Sequence, residues 1–141
     1  MTAPFDQTYG AFSPDGRAIA YASNESGQFD IYLDSFPKPA ARVRLTTAGG
    51  TEPRWSSDGR ELYFRRGGEI HSVQFVDGST SVVSVSRLFD LKVAIRSYDV
   101  SRDGRLLINV PATSSHQNPI TLVNNWQPQT GHGITETLKH N

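Results

Sequence analysis

The string Ser13-Pro14-Asp15-Gly16-Arg17 returns as Ser56-Ser57-Asp58-Gly59-Arg60 and again as Ser101-Arg102-Asp103-Gly104-Arg105, so its copies begin 43 and 45 residues apart. The flanks repeat with it. An apolar residue precedes each copy (Phe12, Trp55, Val100), and a strand-like run follows each: Ala18-Ile19-Ala20-Tyr21-Ala22, Glu61-Leu62-Tyr63-Phe64 and Leu106-Leu107-Ile108-Asn109-Val110. Three copies in register, each between two strand-like runs, indicate one hairpin-centred unit used three times.

The string has the chemistry of a tight turn. Pro14 presets φ at about −65° for the first turn position, and Asp15 suits the second. Gly16 then takes the left-handed conformation that closes a hairpin with a bulge. Asp15, Gly16, Asp58, Gly59, Asp103 and Gly104 therefore read as turn formers.

A repeat of about 40–45 residues is the length of a propeller blade of four strands. The expected fold is all-β, a β-propeller fragment of about three four-stranded antiparallel blades. The blades fall at about 9–47, 51–90 and 96–126, making 1–126 a partial propeller, and 127–141 reads as an irregular or weakly helical tail. The first blade takes strands at 9–13, 17–23, 29–36 and 42–46, and the second at 53–56, 61–65, 69–75 and 81–89. In the third only 98–101, 105–111 and 120–126 read as strands, with a polar loop at 112–119, and a weak helix fits 135–140 alone. The runs at 18–22 and 106–110 are apolar at successive positions, which marks strands covered on both faces.

With these residues in place, the chain resembles the TolB-type propeller repeats. Their signature is a Ser-Pro-Asp-Gly turn, an apolar strand and an Asp-Ile-Tyr strand, here Ser13-Pro14-Asp15-Gly16, Ile19-Ala20-Tyr21 and Asp30-Ile31-Tyr32. More narrowly, Tyr21-Ala22-Ser23-Asn24-Glu25-Ser26-Gly27, Gly49-Gly50-Thr51-Glu52-Pro53-Arg54-Trp55, Arg96-Ser97-Tyr98-Asp99-Val100-Ser101 and Ile120-Thr121-Leu122-Val123-Asn124-Asn125-Trp126 are similar to the last blades of large bacterial multidomain proteins. Many of those carry a serine/threonine kinase domain at the front. The resemblance covers 9–126 and implies a fold; it carries over no catalytic residue. It also implies a parent protein that is often periplasmic or extracytoplasmic. The tail departs from the short helix that usually ends such chains.

Composition narrows the function classes. Lys plus Arg and Asp plus Glu each number 14, so the chain has no net charge and no whole-domain footprint for nucleic acid. Neutrality also removes the repulsion that keeps copies apart. The absence of cysteine excludes a disulfide scaffold, a thiolate zinc site and a cysteine nucleophile. No run reaches the length of a membrane helix. Residues 1–10 lack the basic and apolar regions of a signal peptide, so the chain as written is expected to stay in the cytoplasm.

No motif points to chemistry. A Gly-x-Ser-x-Gly elbow is missing. His71, His116, His132 and His140 lack metal-ligand spacing, Asp30 and Asp99 read as strand-start turn acceptors, and no metal or cofactor is expected. Gly67-Gly68 reads as a hairpin turn and Gly131-His132-Gly133 as tail. Arg42–Arg44 and Arg65-Arg66 read as solvated blade edges, and Asn24-Glu25-Ser26 as a turn. The sequence therefore leads us to expect no enzymatic activity.

Three blades do not close a ring, since propellers use four to eight. Two bare apolar faces of several hundred Å² would forfeit on the order of 10 kcal/mol at about 25 cal/mol per Å². A homodimer completing a six-bladed ring is the first expectation, then a larger assembly, then a lone fragment. The leading reading is a non-enzymatic binding or interaction module that recognises another protein or a small ligand at the channel mouth. Tyr9, Glu52, Arg54, Arg96 and Tyr98 are the candidate mouth residues, because they mix aromatic and charged groups beside the innermost strands. The alternative is an amphiphilic, biosurfactant-like protein whose uncovered blade faces bind hydrocarbon or lipid.

Overall fold

The structure is a computed structural model that describes residues 4–40, 42–111, 120–124 and 134–138. Among these, three antiparallel sheets of four strands are formed. The first runs β1 (Gln7–Phe12), β2 (Ala18–Ser23), β3 (Asp30–Ser35) and β4 (Val43–Arg44), paired in chain order. The second runs β5 (Thr51–Trp55), β6 (Glu61–Arg66), β7 (Glu69–Phe75) and β8 (Val82–Asp90). The third runs β9 (Ser97–Val100), β10 (Leu106–Asn109), β11 (Ile120–Asn124) and β12 (Ile134–Leu138). No helix is present among the described residues, and so none that is long and apolar enough to cross a membrane.

The last strand departs from the sequence reading. Where a weak helix fitted 135–140, β12 lies antiparallel to β11 and gives the third blade its fourth strand. Its Ile and Thr residues favour an extended chain, and pairing with β11 outweighs a marginal helix propensity. The loop expected at 112–119 lies outside the described residues, as do His116, His132, His140, Trp126 and most of the tail.

The three turns share one set of bonds. Gly16, Gly59 and Gly104 have φ of 70°, 73° and 82°, and each donates its N–H to the carbonyl of the turn's serine at 2.9–3.0 Å. The hydroxyls of Ser13, Ser56 and Ser101 donate to Asp15, Asp58 and Asp103. Those bonds, with backbone N–H groups at Asp15 and Asp58 and the Arg105 guanidinium at Asp103, hold the three carboxyls below the usual range.

The third turn is nonetheless one residue shorter. Ser13 N–H donates to the Ala18 carbonyl and Ser56 N–H to that of Glu61, five residues on, whereas Ser101 N–H donates to Arg105, four residues on. A one-residue slip turns every side chain to the opposite face. The first two blades correct it with a bulge in the innermost strand, between Thr8 and Ala11 and between Thr51 and Arg54. Tyr9 and Glu52 occupy these bulges at φ of 57° and 54°. In the third blade β9 and β10 keep one register throughout, so Leu106 and Ile108 face the core and Leu107 is exposed.

Two apolar layers join the blades. Ala18, Ala20, Ala22, Ile31, Leu33 and Leu45 of the first meet Leu62, Phe64, Val73 and Phe75 of the second. Tyr63, Ile70 and Leu88 of the second meet Tyr98, Leu106, Ile108 and Val110 of the third. Gly50 stands where a Cβ would lie 2.9 Å from Ile31 and 3.0 Å from Phe64, so the chain crosses this junction only without a side chain.

Asp30 anchors the same crossing. Its buried carboxylate accepts from Ser26 Oγ at 2.8 Å, Arg44 Nη2 at 2.6 Å, Thr46 Oγ1 at 2.8 Å and the Gly49 N–H at 2.9 Å. It thereby ties the β2–β3 hairpin to the segment leading into the second blade. Burial alone would raise its pKa, but these donors outweigh it and hold the carboxyl below the ordinary value. A depressed folded pKa contributes stability above the unfolded value of 3.8, and that stability is lost as pH falls through the folded value. Asp30→Ala is expected to cost about 3 kcal/mol at pH 7, because Arg44, Thr46 and Gly49 lose their acceptor together. Urea midpoints at neutral and acid pH check this: the gap between wild type and variant should narrow below the usual carboxylate range, and a constant gap would refute the clamp.

Candidate channel-wall site

The innermost strands of successive blades approach one another, β1 beside β5 and β5 beside β9, as the strands lining the channel do in a closed propeller. On this wall the bulge at Glu52 is held from two sides. Glu52 is 7% exposed, and its carboxylate meets Arg65 Nη2 at 2.7 Å. The Tyr98 hydroxyl, from the third blade, donates to the Glu52 backbone carbonyl. Arg65 also donates to the Ile95 carbonyl, so one guanidinium joins β6, the β5 bulge and the link into β9.

Burial pushes the Tyr98 phenol far above its ordinary pKa. The Arg54 and Arg65 charges oppose that rise, while those of Glu52 and Asp99 add to it. Arg54 is half-buried, and its guanidinium donates to the Pro53 carbonyl at 3.0 Å. Beside Arg65 opens a cavity of about 490 Å³, lined by Thr51, Gly68, Asp90, Lys92 and Ile95. Gly68 is required there, because a Cβ would lie 2.5 Å from the Val93 carbonyl oxygen.

Of the candidate mouth residues, Glu52, Arg54 and Tyr98 are brought together. Arg96 stands exposed at the entry to β9, where its N–H donates to the Asn109 carbonyl at 2.8 Å. Tyr9 lies apart, 51% exposed on the outer face of the first blade. There it lines a groove of about 540 Å³ with Ile19, Tyr21, Asp34, Phe36 and Arg42.

Sequence reasoning missed Arg65. Arg65 and Arg66 are half-buried, Arg66 donating to the Gly49 carbonyl at 3.1 Å, whereas Arg42 and Arg44 lie exposed at the blade edge as read, Arg44 bonding Asp30 and Arg42 meeting Glu25 at 2.8 Å and Tyr21 Oη at 2.6 Å. The available signal was the repeat itself. Arg65 stands two residues beyond Tyr63, where the first blade has buried Ala22 two residues beyond Ala20, so a cation there needs an internal partner. His71, read as packed or half-exposed, is buried in β7, with Nε2 2.7 Å from Glu69 and its ring stacked on Phe64. Asp99 bonds the Val100 N–H at 2.8 Å.

No protein-family model and no curated protein matches the chain. Solved structures do. Over 96% of its length the chain is similar to the putative TolB of Agrobacterium tumefaciens, with a TM-score of 0.69 and 24% identity, covering 49% of that structure. It is similar over 96% of its length to a luciferin-regenerating enzyme, at TM-score 0.68 and 13% identity, covering 46% of it. The β-propeller domain of the Trilobed protease of Pyrococcus furiosus matches 94% of the chain at TM-score 0.56 and 18% identity, with 43% of that structure covered. The fold is therefore a TolB-like β-propeller, and the chain spans a little under half the length of each of these structures. One correction follows. The expectation of no enzymatic activity does not stand, because a luciferin-regenerating enzyme contains the same arrangement of blades. A propeller assembles its site from separate innermost strands, so the lack of a contiguous catalytic motif excludes nothing.

The Glu52 network makes a measurable claim. Tyr98→Phe removes one buried donor and is expected to cost about 1–2 kcal/mol. Arg65→Met leaves Glu52 buried without its cation and is expected to cost about 3 kcal/mol or more. Denaturant titration of both variants checks the order, and equal or negligible losses would show that the network does not hold the bulge.

Proposed function

We propose that the chain is a recognition module that takes a carboxylate-bearing ligand at its channel wall and associates with itself. The observation that carries this is an asymmetry among the cations there. Arg65 and Lys92 are matched to Glu52 and Asp90, whereas among the described residues no carboxylate lies within 4.0 Å of Arg54 or Arg96. Two unmatched guanidinium forks near a buried tyrosine suit bidentate recognition of carboxylate groups, either on an acidic segment of a partner protein or on a small polycarboxylate. Tyr9 belongs to the self-association surface in this reading.

A hexaglutamate peptide serves as probe in calorimetric titration at low salt. Arg54→Ala and Arg96→Ala are each expected to weaken binding about tenfold, or 1.4 kcal/mol. Arg60→Ala, which removes an exposed ion pair elsewhere, should leave binding unchanged. Equal losses in all three variants would reduce the interaction to unspecific charge and sink the proposal.

A second reading is favoured by the rim of the second blade. On β8, Val82, Val83 and Val85 are 42%, 61% and 46% exposed, an apolar strip on an edge strand. Such a strip beside polar turns makes the molecule amphiphilic, suited to an oil–water interface or an apolar ligand. In this reading a micromolar solution lowers surface tension, and replacing Val83 and Val85 with Thr reverses much of that drop. An unchanged tension in wild type would rule it out.

A further inference from the structure

We infer that the outer face of the first blade is a docking face for the last blade of a second copy of this chain, so that two half rings close head to tail. This rests on the self-association proposed above and supplies its surfaces.

The evidence is an internal duplicate. Where the second blade packs on the first, it presents Leu62, Phe64, His71, Trp55 and Phe75. Trp55 stacks on Phe75 at 5.4 Å, Phe64 stacks on His71 at 5.1 Å, and Trp55 Nε1 donates to the Ala11 carbonyl at 3.1 Å across the junction. Leu62 and Phe64 are fully buried there.

The same positions of the first blade carry Ile19, Tyr21, Tyr32, Phe12 and Phe36. Phe12 meets Phe36 at 4.8 Å and Tyr21 stacks on Tyr32 at 6.0 Å, so the aromatic pairs are already built. Yet Phe12 and Phe36 are 55% and 44% exposed. One face of this design is filled within the chain; in its twin Arg42 lies over Tyr21 and the buried Tyr32, and the edge at Phe12 and Phe36 is open.

The side that receives such a face identifies what fills it. On the first blade that side is Ala18, Ala20 and Ala22. Allowing for the shorter third turn, the matching side chains of the last blade are Arg105, Leu107 and Asn109, all exposed and turned away from the second blade. Both open faces carry charges that the internal ones lack: Asp34 and Arg42 on the first blade, where Arg42 is paired with Glu25, and Arg105 and Asp99 on the last. Asp34, cross-strand from Ile19, stands where the second blade has Val73 cross-strand from Leu62. Arg105 stands where the first blade has Ala18, and it pairs now with the exposed Asp103 of its own turn. Head-to-tail contact sets Arg105 toward Asp34, whereas two first blades face to face would set Asp34 against Asp34.

The test is mass by light scattering over a tenfold concentration range, independent of the peptide titration. Wild type is expected at twice the single-chain mass. Phe12→Asp and Leu107→Asp should each weaken self-association at least tenfold, because each damages both junctions of the ring. Their equimolar mixture should regain the dimer, because one of its two junctions then has no substitution on either side. Asp34→Arg, at a half-exposed position, provides a gentler variant; it should weaken the dimer, and Arg105→Asp in the same chain should restore it. A wild type at single-chain mass throughout overturns the inference. So does a dimer lost in Phe12→Asp but kept in Leu107→Asp, which would mean that first blades meet face to face.

Discussion

The first two sheets of this chain carry apolar side chains on both faces, and covering those faces is the constraint from which the rest follows. An antiparallel sheet with one wet face reads as alternating polar and apolar residues, but β2 and β6 read apolar on consecutive positions. Such a sheet is stable only between two others. Inside the chain this is met twice, by the alanine face of the first blade under Phe64 and Phe75 and by Tyr63 and Ile70 over Leu106 and Ile108. The crossings between blades carry the tightest demands. Gly50 has no room for a side chain, and Asp30 gathers donors from both ends of its crossing.

The repeated turn made the architecture legible, because Asp-Gly between strand-like runs has few structural solutions. What it hid was the strand that follows it. All three copies read Ser-x-Asp-Gly-Arg, yet the third closes one residue sooner, and identical letters feed strands of opposite facing. The assignment of Leu106 rather than Leu107 to the core depends on a hydrogen bond between Ser101 and Arg105 that no pattern of residue types displays. The strand Ile134–Leu138 was illegible for a different cause. An edge strand is stabilised by the neighbour it pairs with, here β11, more than by its own composition. Around the bulge, the nearness of Glu52, Arg54 and Tyr98 follows from the innermost strands they stand on, but their partner was not legible, because Arg65 lies on the neighbouring strand β6 and looks in sequence like a surface residue.

The shorter third turn also explains where strain is kept. A residue with a side chain at positive φ costs about 1–3 kcal/mol, and the first two blades accept this at Tyr9 and Glu52 to recover register. The two are treated differently. Tyr9 is half-exposed in an open groove, while Glu52 is pinned by Arg65 and by a tyrosine from the next blade. A strained backbone held by charge and hydrogen bonds on a channel wall is fixed in position before any ligand arrives. In the carboxylate recognition we propose, that rigidity would give the adjacent Arg54 the defined orientation a planar group requires.

The two ends of the stack then differ in kind from its interior. Internal junctions are filled by aliphatic and aromatic side chains meeting alanines or one another, a contact that is strong and indifferent to charge. At the outer faces the same positions carry charges, Asp34 and Arg42 on one side and Arg105 and Asp99 on the other. Charges on such a face lower its gain from burial and raise its selectivity, because a partner must then match them in position. Exposed aromatics at Phe12 and Phe36 retain the attraction. Adding a charge to an apolar face is the economical way to keep a sheet soluble while leaving it one correct neighbour, and it assigns to the open ends the same rule that stacks the interior.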